Sequence, residues 1–250
     1  MKIKKYLYKE YKIYFPEEKL EREELGKSII DNNFKTIKIL KDTKRNYVAI
    51  IEIENKKYIL KEFRSEVVIP QRKIQTFLKI GEALRTLING LSAIEEGIDE
   101  LVEPLLAIVK KKIFIEKSFL LMEYIDGDIL RTKEDIDKVI EIIKKVHGLG
   151  RYHGDLNTSN FIKVNDSLKI IDTQMKKEKI WNFKKIYDIF TLKEDLLVKM
   201  LNYHIKNNYV IENKRISYMF VFIVKKIKRS NLIEKFREFK KKMRKKGWKI

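Results

Sequence analysis

Three runs rich in Ile, Val, Tyr and Phe, at residues 34–40, 47–53 and 57–63, are separated only by the polar segments 42–46 and 54–56. Parallel strands need a crossover of a dozen or more residues, so gaps this short force antiparallel neighbours. Residues 1–15 alternate Tyr6, Tyr8, Tyr11 and Tyr14 with lysines and read as a further hairpin or strand pair. Pro16-Glu17-Glu18 then predicts a helix start, with Pro in the first turn and acids near the positive end of the dipole. A helical segment is predicted over 71–97, broken near Gly81 and stopped at Gly97. Two more strands, 105–115 and 118–124, end at Asp126-Gly127.

Beyond that dipeptide the pattern turns helical, over 133–147, 181–203, 216–228 and 232–246. A strand-rich first half and a helix-rich second half predict an α+β fold of two lobes facing a cleft. The boundary falls between residues 125 and 126. Residues 1–125 would form a small antiparallel-sheet lobe with a helix. Residues 126–250 would form a mainly helical lobe ending in a basic helix.

Composition limits the function classes. Apolar residues make up 44% of the 250, enough for a buried core and against global disorder. The absence of Cys excludes disulfides, thiolate zinc sites and a Cys nucleophile, and fits a reducing compartment. Apolar stretches such as 219–224 fall far short of the roughly 20 residues that cross a bilayer. Lys9, Glu10 and Lys12 interrupt any N-terminal signal core. A cytoplasmic protein is expected. The formal charge of +20, from 56 Lys and Arg against 36 Asp and Glu, predicts an anionic partner, although AT-rich codon usage would also enrich Lys. Residues 225–250 hold 13 Lys and Arg against two Glu. Leu232, Phe236, Phe239 and Met243 would form one apolar stripe on that segment, so it is expected to pack inward and to turn its basic face to an anionic membrane.

The chemistry concentrates at residues 152–161, Tyr-His-Gly-Asp-Leu-Asn-Thr-Ser-Asn-Phe, which contain H-x-D-x-x-x-x-N and precede Ile170-Ile171-Asp172. Phosphoryl transfer needs these residue types together. One carboxylate (Asp155) orients or accepts the proton of an attacking hydroxyl, while an amide oxygen (Asn160) and a second carboxylate (Asp172) hold Mg²⁺ against phosphates. His147, His153 and His204 are too dispersed for a metal site, and His153 is expected to orient the loop.

These residues resemble the protein-kinase-like fold, in the branch with His-Gly-Asp-Leu and Ile-Asp. The resemblance implies ATP as the nucleotide and Lys61, in Tyr58-Ile59-Leu60-Lys61 of the third strand, as the contact to its α- and β-phosphates. It implies Glu82 as the partner of Lys61, and Glu123 and Tyr124, within Met122-Glu123-Tyr124-Ile125, as the connector whose backbone meets the adenine. More specifically, residues 33–40, 58–63, 81–88, 154–161 and 170–172 are similar to the lipopolysaccharide core heptose(II) kinase family, over roughly residues 1–195. Asp188 falls where that family has an Asp on the next helix. The family implies ATP- and Mg²⁺-dependent phosphorylation of a heptose hydroxyl in the lipopolysaccharide inner core, at the cytoplasmic face of the inner membrane.

The chain also departs from kinases. Asp42-Thr43-Lys44-Arg45-Asn46 contains no Gly where a Gly-rich loop is usual, which leaves the phosphates to backbone N–H groups and to Lys44 or Arg45. Asn157 stands where protein Ser/Thr kinases carry Lys. Only 78 residues follow Asp172, too few for a full activation segment and helical lobe, so a glycan or other small acceptor is expected rather than a protein. The competing readings are a pseudokinase or nucleotide-binding module and a kinase for another small molecule. A nucleic-acid binder is disfavoured for want of a base-reading motif, so no specific nucleic-acid partner is expected.

Overall fold

A computed structural model describes residues 2–173, 175–179, 182–205, 209, 215–228 and 238. The chain divides by its contacts into two compact units, residues 1–125 and 126–250.

In the first unit the strands are β1 (Ile3–Tyr8), β2 (Tyr11–Pro16), β3 (Lys35–Asp42), β4 (Tyr47–Ile53), β5 (Lys56–Glu62), β6 (Pro104–Lys111) and β7 (Ile115–Glu123). The helices are α1 (Arg22–Ile30), α2 (Ser65–Val68), α3 (Pro70–Leu78) and α4 (Glu82–Glu95). All seven strands join one antiparallel sheet in the order β1-β2-β6-β7-β5-β4-β3. Alternation sets its inner face: Ala49, Ile51 and Ile53 of β4, Leu106 and Ile108 of β6, and Ile13 and Phe15 of β2 all point into one core. The edge strand β3 is exposed at every position and carries Lys35, Lys38 and Lys41 with two register shifts, which blunts edge-to-edge pairing.

The helix expected from Pro16 is displaced. Pro16 is the last residue of β2, opposite Ile3, and α1 begins at Arg22. Pairing of β2 with β6, about 95 residues away, outweighs the local signal. Arg22 is buried and donates to the Leu105 carbonyl (3.0 Å) and to Glu103 (2.5 Å), which fixes α1 against the start of β6. The predicted break at Gly81 separates α3 from α4. The Gly-free turn between β3 and β4 is held by the Thr43 hydroxyl, which accepts from the N–H groups of Arg45 (3.3 Å) and Asn46 (3.0 Å). Arg64 ties it from outside through Asp42 (2.7 Å) and the Thr43 carbonyl (3.2 Å).

The second unit holds α5 (Lys133–Gly148), the short strand β8 (Arg151–Tyr152), a single 3₁₀ turn at Thr158–Asn160, and the hairpin β9 (Phe161–Val164) with β10 (Ser167–Ile170). Then come β11 (Lys176–Lys177), which pairs with β8, and α6 (Phe183–Lys193), α7 (Leu196–Met200) and α8 (Arg215–Lys228). The helix predicted over 181–203 is two helices, because Asp195 stops one and caps the next. The α+β class holds, with the sheet in the first unit and mainly helices described in the second. Of the helix expected over 232–246, all but the exposed, helical Glu238 lies outside the described residues.

Asp135 ties the entry of α5 to the hairpin. Thr132 and Asp135 form a reciprocal capping box, and Asp135 also accepts from the Arg131 N–H (2.8 Å) and from Lys163 of β9 (2.9 Å). Burial alone would raise its carboxyl, but the donors from Arg131, Lys163 and Thr132 hold it down at about 2. Gly127 passes so close to β9 that an added Cβ would lie 2.4 Å from the Lys163 carbonyl oxygen, so only Gly fits there. Asp135→Ala strips a cap and leaves the part-buried N–H groups of Arg131 and Thr132 and the Lys163 ammonium without their acceptor. It is expected to cost about 2–4 kcal/mol in urea unfolding, whereas Glu141→Ala on the exposed face of the same helix should leave the midpoint unchanged.

Candidate active site

The segment between β8 and β9 carries the H-x-D-x-x-x-x-N residues, and α6 holds it from beneath. Asp188 is fully buried and accepts from the backbone N–H of His153 (2.6 Å) and of Gly154 (2.9 Å). His147, at the end of α5, places its Nε2 3.4 Å from the same carboxylate. Gly154 has φ +94°, a left-handed conformation that L side chains rarely adopt, and this turn exposes Asp155 next in the chain. Asp195 anchors the loop further on, accepting from both the N–H and the hydroxyl of Thr158 at 3.0 Å while capping α7. Two carboxylates, the buried Asp188 and the half-buried Asp195, therefore fix the backbone on either side of Asp155.

Asn160 donates its Nδ2 to the Asp155 carbonyl (2.8 Å), as Asn157 does (3.0 Å). That bond orients the Asn160 amide and leaves its Oδ1 without a hydrogen bond among the described residues. Asp172 follows β10, and its two neighbours are tied to the loop. The Ile171 N–H donates to the Asn160 carbonyl and the Thr173 hydroxyl to the His153 carbonyl, both at 3.0 Å. Asp155 and Asp172 line one pocket of about 280 Å³ with Tyr152, His153, Gly154, Thr173, Lys176 and Lys184. A second pocket of about 300 Å³ shares Tyr152, Gly154, Asp155 and Lys184 and adds Phe183, Tyr187, Asp188, Thr191 and Val224.

The donor set suits Mg²⁺. No cluster of three or more His, Cys, Asp or Glu side chains occurs among the described residues, so a site built wholly from such protein ligands is not present there. A hard ion that keeps several waters and takes phosphate oxygens needs only one or two protein oxygens. The Asp172 carboxylate and the Asn160 amide oxygen match that need.

The remaining predicted residues lie in the first unit. Lys61 is on β5, half-buried, with its ammonium 5.3 Å from the centre of the Phe63 ring. Glu82 opens α4, where its carboxylate meets Arg72 (3.1 Å) and its N–H donates to the buried Glu66 (2.8 Å). Burial raises the Glu66 carboxyl despite that bond. Glu123 ends β7 opposite Tyr58, exposed, and Tyr124 follows it with Lys57 over its ring at 5.7 Å.

Sequence reasoning missed Asp195, Glu178 and Arg151. Asp195 carries a readable signal, an Asp just before an apolar helical run. Glu178 accepts from the N–H groups of Lys184 (2.7 Å) and Lys185 (3.2 Å) and so caps α6. Arg151 is buried and donates to the Met175 carbonyl (2.6 Å). Neither has any local pattern.

Burial lowers both His147 and His153, against the pull of Asp188. The Nδ1 of His153 accepts from the Asp155 N–H (3.3 Å), which puts the ring proton on Nε2, and the ring stacks on Phe161. Because the folded values lie below the unfolded value of 6.5, the unfolded chain takes up protons first as pH falls. Stability is therefore full above that value and is lost below it, by about 1.4 kcal/mol per pH unit for each histidine. Urea unfolding between about pH 7.5 and 5.5 should show this decline, and His153→Gln should halve its slope. A flat profile in the native chain would contradict the buried neutral pair.

The chain is similar in sequence to known proteins. A sequence model of the family described as "Lipopolysaccharide core biosynthesis protein (WaaY)" matches residues 2–238. An Escherichia coli protein named lipopolysaccharide core heptose(II) kinase WaaY is 26% identical over 172 residues, 66% of this chain and 74% of the relative. Its namesake in Escherichia coli strain K12 is 30% identical over 152 residues, 58% of this chain and 65% of that protein. A probable bifunctional tRNA threonylcarbamoyladenosine biosynthesis protein of Methanosarcina barkeri is 41% identical over 61 residues, but these are only 11% of its length. With the family match running over nearly the whole chain, the protein belongs to the lipopolysaccharide core biosynthesis family WaaY.

Proposed function

We propose that this chain transfers a phosphoryl group from ATP to a sugar hydroxyl, that of a heptose in the inner core of lipopolysaccharide. The enzyme is a phosphotransferase with an alcohol group as acceptor, and two relatives carry the name of heptose(II) kinase. The observation that carries the reading is a pocket lined by both Asp155 and Asp172, with Asp155 on a loop fixed from below by Asp188.

Asp155 orients the acceptor hydroxyl and takes its proton as the oxygen attacks. Asn160 and Asp172 would hold Mg²⁺, which when bound neutralises charge on the nucleotide phosphates. Asn160 also keeps the Asp155 backbone in register through its Nδ2. Lys61 neutralises the α- and β-phosphates, the Glu123–Tyr124 backbone meets the adenine edge, and Glu82 is proposed as the acid that supports Lys61. The Gly-free turn at 43–46 supplies the cations Lys44 and Arg45 in place of a Gly-rich loop, since the N–H groups of Thr43, Arg45 and Asn46 are bonded within the turn.

No helix among the described residues is long and apolar enough to cross a membrane. The reading places the enzyme at the cytoplasmic face of the inner membrane, in peripheral contact with anionic lipid. The 13 Lys and Arg of residues 225–250 and the exposed Met219, Phe220, Phe222 and Ile227 of α8 support that contact.

Asp155→Ala and Asp172→Ala should each lower ATP-dependent phosphate incorporation into lipopolysaccharide core by about a thousandfold or more, with unfolding midpoints near native. Mass spectrometry of the core and release of ADP give the two readouts. Near-native turnover by either folded variant would remove these residues from the chemistry.

A further inference from the structure

A phosphoryl group in flight carries negative charge on three equatorial oxygens, and enzymes that move it supply a cation close to the attacking oxygen. Residues 153–161 hold no Lys or Arg, and Asn157 spends its amide on the Asp155 carbonyl and on Ser159. The cation has to come from elsewhere. We propose that Lys184, in the first turn of α6, is a further catalytic residue whose ammonium contacts the transferring phosphoryl group; the inference rests on the kinase reading above.

Four observations carry it. Lys184 lines both pockets together with Asp155, and it is the one cation of the described residues common to the two. Its ammonium makes no ion pair among the described residues, whereas nearby Lys225 is held by Glu194 (3.2 Å) and Lys185 by the His147 carbonyl (2.5 Å). It lies 5.7 Å from the centre of the Phe183 ring and 6.0 Å from that of Tyr187. Aromatic faces hold a cation in place and displace part of its water without neutralising it. The backbone is fixed as well, because the Lys184 N–H donates to Glu178 (2.7 Å).

In the transfer, the bond from the acceptor oxygen to the γ-phosphorus forms as the bond to the bridging oxygen breaks. The electron pair leaves with ADP, the acceptor proton goes to Asp155, and Lys184 stays protonated throughout.

The test measures kcat and KM for Lys184→Gln and Lys184→Arg, with ATP, Mg²⁺ and lipopolysaccharide isolated from cells lacking this chain. Lys184→Gln should lose about a hundredfold in kcat, with both KM values within about threefold of native and an unchanged unfolding midpoint. Lys184→Arg should recover most of the loss, since it keeps the charge. An unchanged kcat in Lys184→Gln overturns the proposal. So does a rise in acceptor KM at constant kcat, which would give the cation to the acceptor instead. Absence of transfer by the native chain would overturn the kinase reading itself, a failure distinct from the other two.

Discussion

The buried carboxylate of Asp188 is the interaction on which the second unit's site depends. An isolated charge under α6 would be costly, and it is tolerated because two backbone N–H groups and a histidine ring converge on it. Those N–H groups belong to the two residues before Asp155, so the charge and the loop stabilise each other. The same carboxylate draws the end of α5 to the loop through His147. The other ring nitrogen of His147 meets the Tyr209 hydroxyl at 2.9 Å, and burial pushes that phenol up to about 12, so it stays a donor.

Around this centre the other anchors follow one logic: charged side chains outside the loop satisfy backbone groups that no helix or sheet can reach. Asp195 takes the N–H of Thr158, Arg151 the carbonyl of Met175, and Glu178 the first N–H groups of α6. Asp135 and Lys163 lock the β9–β10 hairpin to α5. The result is a short irregular segment with little secondary structure that still has a defined backbone, as the proposed role of Asp155 requires. Position and stability are coupled here, since Asp188, which holds the backbone before Asp155, is also a buried polar group of the unit.

Much of this was legible before any coordinates. The run 47–53 matches β4 residue for residue because strict alternation against a buried face leaves one register. The H-x-D-x-x-x-x-N spacing and Ile-Asp pointed to the stretch whose Asp155 and Asp172 line one pocket. What escaped was non-local. The Pro16 start signal failed because β2 is claimed by β6, far along the chain. The Glu82 carboxylate lies on Arg72, a contact that depends on how α3 folds back toward α4. Glu178 and Lys184 look like solvated charges among 92 charged residues, and only the folded backbone distinguishes them.

Amide hydrogen exchange at His153 and Gly154 probes the central interaction most directly. In the native chain these two N–H groups should exchange as slowly as the interior of α5. In Asp188→Asn, which keeps the volume but removes the charge and one acceptor oxygen, both should speed up by about a hundredfold while α5 stays protected. Equal protection of the two amides in both proteins would contradict the account.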